Sequence, residues 1–212
     1  MSKKMMLLAL AVAAAALFAL PAAASAVELH WTNTQAFTGT SGAGTLAAEG
    51  EPTISCTSGD ISGTPSAGGT TGTITFDFTG CTDSIFHASC HTANSGLSNT
   101  IATKGTYHLV TLPTSRPGIL VTPVETTITC AGFFTTTMKG NLLGEITNPV
   151  CGGENYEMAM SFAATGPGQF DTIYTGGQYN LTSTTSGGTA KRSGLAAAGE
   201  TIQSSRGKLE CT

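Results

Sequence analysis

Thr73-Ile74-Thr75-Phe76-Asp77-Phe78 puts a large apolar residue at every second position, with small or charged residues between. Successive side chains of an extended strand point to opposite faces, so this stretch has one apolar and one polar face. A helix would scatter the same residues around its circumference. The period returns twice. Val124, Thr126, Ile128 and Cys130 alternate with Glu125, Thr127 and Thr129. Tyr156, Met158, Met160 and Phe162 alternate with Glu157, Ala159 and Ser161. The large residues of all three runs are expected to point inward.

Working outward, weaker strand candidates lie at 28–37, 53–58, 101–112, 134–139, 169–175, 178–182 and 208–211. Threonine is abundant in and around them, and its branched β-carbon favours extended backbone. Turn signals separate the runs: Ser66-Ala67-Gly68-Gly69, Pro117-Gly118, Gly152-Gly153, Gly176-Gly177 and Gly187-Gly188. No segment after the N-terminus has a helical apolar period. The expected fold is all-β: an antiparallel β-sandwich or barrel of about ten short strands. Helix is confined to a turn or two near Leu195–Ala198, and 183–194 reads as a loop carrying Lys191 and Arg192.

The N-terminus reads as an export signal. Lys3 and Lys4 precede an uncharged apolar run from Met5 to Leu20; Pro21 breaks it, and Ala24-Ser25-Ala26 fits a cleavage site. The run is short of the ~20 residues that span a bilayer, and no later segment is apolar enough to cross. Residues 1–26 are therefore expected to be removed, leaving 27–212 as one extracytoplasmic domain without a transmembrane segment. All 13 acidic residues follow Ala26, whereas two of the nine basic ones precede it, so the mature net charge is −6. Without basic clusters, nucleic acid is not an expected partner.

All six cysteines (Cys56, Cys81, Cys90, Cys130, Cys151 and Cys211) lie in the mature part, an even count that reads as three disulfides. Cys56 ends one strand candidate and Cys81 follows another, so a hairpin turning at 66–69 would bring the two together. The other four cysteines allow three pairings. Thr53-Ile54-Ser55-Cys56 is similar to Thr127-Ile128-Thr129-Cys130; read as an internal repeat, this gives Cys130–Cys151 with Cys90–Cys211.

A wider pattern suggests another order. Thr53-Ile54-Ser55-Cys56, a Gly-rich hairpin and Phe78-Thr79-Gly80-Cys81 resemble a loosely defined group of exported, Thr/Gly-rich, disulfide-containing all-β bacterial proteins of no assigned function. The resemblance runs loosely through Cys90 and Cys130 to the C-terminal strand. It implies export, a β fold, and the pairs Cys56–Cys81, Cys90–Cys130 and Cys151–Cys211. It carries no catalytic residue.

Few chemistries find support. His87-Ala88-Ser89-Cys90-His91 could hold a soft metal only if Cys90 were free, and two imidazoles fall short of a four-ligand site. There is no C-x-x-C, G-x-S-x-G, H-E-x-x-H, P-loop, EF-hand or Rossmann fingerprint. His30 and His108 fall in strand candidates, where histidine serves as a half-buried spacer. Glu125, Glu145, Glu154, Glu157 and Asp171 are the carboxylates a glycosidase would draw on. Trp31, Tyr107, Tyr156, Tyr174 and Tyr179 could form a sugar-stacking platform, although the core has first need of aromatics at 7% of the chain. No cofactor, metal or catalytic residue is expected. The chain reads as a non-enzymatic secreted or cell-envelope domain with a structural or binding role, its partners cell-wall or glycan components. The competing expectation is a secreted carbohydrate-active hydrolase using carboxylates that the fold brings together.

Overall fold

A computed structural model describes residues 27–212 apart from 67, 113–114, 133, 154, 163–172, 175–176, 179 and 205–206. The proposed leader, Glu154, Asp171 and Tyr179 lie outside the described residues. The strands are β1 (Leu29–Trp31), β2 (Phe37–Ser41), β3 (Gly44–Ala48), β4 (Ile54–Cys56), β5 (Ser58–Pro65) and β6 (Thr71–Thr79). Then come β7 (Thr82–Asp83), β8 (Cys90–Thr92), β9 (Thr100–Thr111), β10 (Pro117–Cys130), β11 (Phe134–Thr147) and β12 (Tyr156–Phe162). β13 (Ile173–Tyr174), β14 (Gly177–Gln178), β15 (Leu181–Thr185), β16 (Lys191–Ser204) and β17 (Leu209–Cys211) complete the chain.

Several short strands are halves of longer ribbons. β2 and β3 both pair with β16 in one unbroken register, Thr40 opposite Thr201 and Gly44 opposite Ala197. β4 with β5, and β6 with β7, continue one another in the same way. The main sheet runs β12-β11-β10-β9-β6-β5-β2-β16, and β16 returns to pair with β12. All these pairings are antiparallel and join ribbons adjacent in the chain, save the closing one of β16 on β2 and β3. The fold is thus an up-and-down barrel closed by its own first and last ribbons, which leaves no long exposed edge.

Alternation decides which face is inside. In β6 the buried residues are Gly72, Ile74, Phe76 and Phe78, with Thr73, Thr75 and Asp77 turned outward. Ile128, Tyr156, Met158, Met160 and Phe162 are buried likewise. The outer wall is polar, the reverse of a membrane-spanning barrel with its apolar outer band. No described helix is long and apolar enough to cross a membrane.

The interior is filled by side chains. Trp31 packs at 4.6 Å between ring centroids from Tyr156 and stacks on Phe37, while Phe76 meets Phe162 edge-on at 5.8 Å. One end of the barrel is capped by the terminal ribbon, β1 paired with β17. Trp31 N donates to Gly69 O, and Gly152 N to Leu209 O, tying this ribbon to two loops of that end. Leu29, Trp31 and Leu209 are its buried side.

Several local expectations are overturned: Pro117-Gly118 opens β10 instead of turning the chain, and 28–37 is not one strand but β1 followed by a break up to β2. Leu195–Ala198 is part of β16, because Leu195 is an inward residue opposite Leu46 of β3. Its ladder with β3, and the pairing of Ala197 with Phe162 of β12, override the helix preference of alanine. Nor is 183–194 a single loop: β15 runs to Thr185 and β16 begins at Lys191, leaving only 186–190 as the turn.

The three disulfides are Cys56–Cys81, Cys90–Cys130 and Cys151–Cys211, and no cysteine is free. The first two share one corner, where Cys90 N donates to Cys81 O at 2.8 Å. The third joins the loop before β12 to β17.

Candidate functional site

One stretch of the barrel wall is not closed by ladder hydrogen bonds. β10 pairs with β9 through 117–122 and with β8 through 128–130, and the segment 93–99 between β8 and β9 leaves the wall. Side chains bridge the interval. Ala102 N donates to Thr92 Oγ1 at 3.0 Å, and Thr126 Oγ1 donates to Thr103 Oγ1 at 2.5 Å. Over this seam lies a groove of about 440 Å³, rimmed by Thr75, Asn94, Lys104, Glu125 and Thr127.

Below the seam the wall is one residue thick. Thr103 lines the outer groove and also a small apolar cavity of about 30 Å³ inside the barrel, bounded by Leu46, Phe78, Ile128 and Leu195. The groove offers hydroxyls, one amide and one ammonium. Its carboxylate, Glu125, is engaged by Lys139 Nζ at 2.7 Å. No histidine lines it. Such a surface can hydrogen-bond a neutral, hydroxyl-rich ligand.

The other predicted residues are dispersed. Glu145 pairs with Arg116 on the outer wall. Glu157 is exposed in an open groove near the capped end, beside Thr38, Asn155 and Gln203. His30 Nε2 lies 3.1 Å from Glu210 Oε2 on the terminal ribbon. Among the described residues no group of three or more metal-ligating side chains comes together. Cys90 of the His87–His91 cluster is bound in its disulfide, so only imidazoles remain there. The sugar platform does not form from Trp31, Tyr107 and Tyr156: all three are buried, because a closed barrel spends its aromatics on its interior.

Two buried carboxyls stand out. Asp83 accepts from the backbone N–H groups of Ile85, Phe86 and Ala88 at 3.0, 2.6 and 3.0 Å. Burial opposes its ionisation, but these three donors outweigh it and hold the carboxyl below the usual range. Glu200 is fully buried inside the barrel, where burial pushes its carboxyl up. Ser41 Oγ donates to Oε1 at 3.3 Å, and Oε2 has no partner among the described residues. Glu200 escaped the sequence reading because its period is interrupted: Met160 faces Glu200 but Phe162 faces Ala197, a bulge that no local pattern announces. The Thr103–Thr126 pair was hidden among many similar threonines. No family model, no curated protein and no solved structure matches this chain.

Proposed function

We propose that this chain is an exported, extracytoplasmic barrel domain with a binding role, its partner a neutral cell-wall or glycan component held in the Thr/Asn/Lys groove over the β9–β10 seam. The observation that carries this reading is a packed interior combined with an outer groove lined mostly by hydroxyls, with one amide, one ammonium and a carboxylate already paired to Lys139. The scattered carboxylates support it against hydrolysis. A glycosidase needs two carboxyls across one cleft, whereas Glu125 and Glu145 are ion-paired on the outer wall and Glu200 is buried inside the barrel. Three disulfides that use every cysteine suit an oxidising compartment.

The mature protein, applied to a glycan array and to cell-wall fractions, is expected to be retained. The triple variant Asn94→Ala/Lys104→Ala/Thr127→Val should lose at least ten-fold in affinity while keeping its fold. Retention unchanged by the variant would remove the groove from the function. Amino-terminal sequencing of exported protein is expected to start at Val27, or at Ser25 if cleavage follows Ala22-Ala23-Ala24. Intact Met1 on cytoplasmic protein would overturn the compartment.

A further inference from the structure

The three disulfides are not equally reachable. Cys56, Cys81, Cys90 and Cys130 are all buried. Cys211 is exposed and Cys151 half-buried. Exchange requires a thiolate to reach a disulfide sulfur. The barrel therefore shields two bridges and leaves the third open to attack.

The open bridge holds a separate piece of structure. β1 and β17 pair with each other in a two-stranded sheet outside the main one. Backbone bonds from Trp31 N to Gly69 O and from Gly152 N to Leu209 O fasten these strands to the barrel end. Gly152 is the neighbour of Cys151, so both the bridge and this bond tie β17 to one loop. The charged pairs His30–Glu210 and Lys208–Glu210 lie within the ribbon.

The contact beneath the ribbon is not wholly apolar. Trp31 packs on Phe37, Tyr107 and Tyr156. A β-carbon on Gly207 would run into the Tyr156 ring, so the chain entering β17 lies directly against that phenol. Trp31 Nε1, Tyr107 OH and Tyr156 OH are buried with no hydrogen-bond partner among the described residues. The indole N–H is turned toward the Tyr107 hydroxyl but does not reach hydrogen-bond geometry. An unpaired buried polar group opposes the state that buries it. Closure of the ribbon thus gains from Leu29, Trp31 and Leu209 and loses at these three atoms, which makes the covalent latch matter.

We infer that Cys151–Cys211 is a thiol–disulfide exchange site for a dithiol, and that its reduction unlatches the terminal ribbon from the barrel. The attacking thiolate bonds to Cys211 Sγ, and Cys151 leaves as a thiolate. The second thiol of the reductant then attacks the mixed disulfide and releases Cys211. Two electrons pass: the cystine becomes two thiols, the dithiol becomes a disulfide, and its two protons end on the cysteines. The barrel itself, closed by its own ladders and stapled by the two buried bridges, stays folded. This inference is independent of the groove.

The test is timed reduction of the disulfide-intact chain from Val27 onward, which contains every described residue, with dithiothreitol in native buffer. Aliquots are alkylated and mapped by mass spectrometry. Alkylation is expected at Cys151 and Cys211 at least ten-fold faster than at the other four cysteines. Over the same time course Trp31, the sole tryptophan of the sequence, should shift its emission to the red. Amide exchange should quicken in peptides carrying β1 and β17, while those of the β10–β11 hairpin keep their protection. Oxidised dithiothreitol should reverse both changes. The variant Cys151→Ala/Cys211→Ala should emit as the reduced protein does and ignore dithiothreitol. Equal or faster labelling at Cys56–Cys81 or Cys90–Cys130 would overturn the exchange site. Selective reduction that leaves emission and exchange unchanged would overturn the latch, and so would loss of protection throughout the barrel. A response of the variant to dithiothreitol would assign the effect to a buried bridge and overturn the proposal as well.

Discussion

The ring of Phe37 lies directly over Gly63. A β-carbon built on Gly63 would run into Phe37 Cζ and the carbonyl oxygen of Thr73. Gly63 pairs with Phe37 across β2 and β5, so the glycine is the space the ring occupies. Gly72 makes the same room for Tyr107 two ribbons on. In this barrel a strand glycine is therefore part of the core packing.

Gly63→Ala is expected to destabilise the protein by about 1–3 kcal/mol, the usual cost of overpacking a filled core. Urea unfolding of both proteins, with disulfides intact, measures it. A neutral or stabilising result would mean that the Phe37 ring can step aside, which its burial against Trp31 and Tyr107 argues against.

These contacts mark how far the sequence could be read. Alternation from Thr73 to Phe78 suffices to place Phe76 inside, since a strand has only two faces. Closure of the barrel depends on pairs such as Thr40 with Thr201, more than 150 residues apart. Nothing local to either residue encodes its partner, so sandwich and barrel remained open. The seam was hidden for a related reason. It exists because 93–99 leaves the wall, and a Ser/Asn/Gly segment reads as an ordinary loop whether it connects two strands or interrupts one. Trp31 and the two tyrosines looked equally suited to sugar stacking and to the core. Only closure, which creates an interior to be filled, decides between those readings.

Asp83 gives a pH signature. Its carboxyl is held below the usual range in the folded state, so its contribution is present above the unfolded value near 3.9 and is lost as pH falls through the folded value. Asp83→Asn keeps one acceptor but turns an amide N–H₂ toward a backbone N–H. It is expected to cost about 1.5–3 kcal/mol at pH 7, the range for hydrogen bonds to a charged group. That difference should shrink toward zero in strong acid. A cost that stays constant from pH 7 down to pH 2 would show that shape, and not charge, holds the 84–88 turn.

Glu200 has the opposite sign. Burial raises its folded value, so the unfolded chain ionises first as pH rises. The folded state then loses stability progressively from about pH 4.3 until its own carboxyl ionises. Glu200→Gln keeps an acceptor for Ser41 and removes the ionisation. The variant should melt at nearly the same temperature as the parent at pH 4 and higher at pH 8. If the parent is the more stable protein at pH 8, then Glu200 is charged inside the barrel and has a partner that compensates it.

The terminal ribbon provides the last prediction. Cys151–Cys211 closes 60 residues of separation, for which chain entropy gives about 4 kcal/mol of stabilisation against the unfolded state. Its local effect should be larger than its global one. β17 is three residues long and sits in a two-stranded sheet with β1, so it has little ladder of its own to hold it. Without the bridge, β17 is held by its ladder with β1, by Gly152 N to Leu209 O and by the burial of Leu209. β1 depends on β17 in turn, so both halves of the cap should loosen together. In Cys151→Ala/Cys211→Ala, amide exchange is expected to accelerate at Glu28, Trp31 and Thr212, all hydrogen-bonded in the cap. The amides of the β10–β11 hairpin should keep their protection. Trp31 fluorescence should shift to the red as the indole leaves its contacts with Phe37 and Tyr156. Unchanged exchange at those three amides would mean that Leu29, Trp31 and Leu209 seal this end by packing alone, with the disulfide acting only on the unfolded chain.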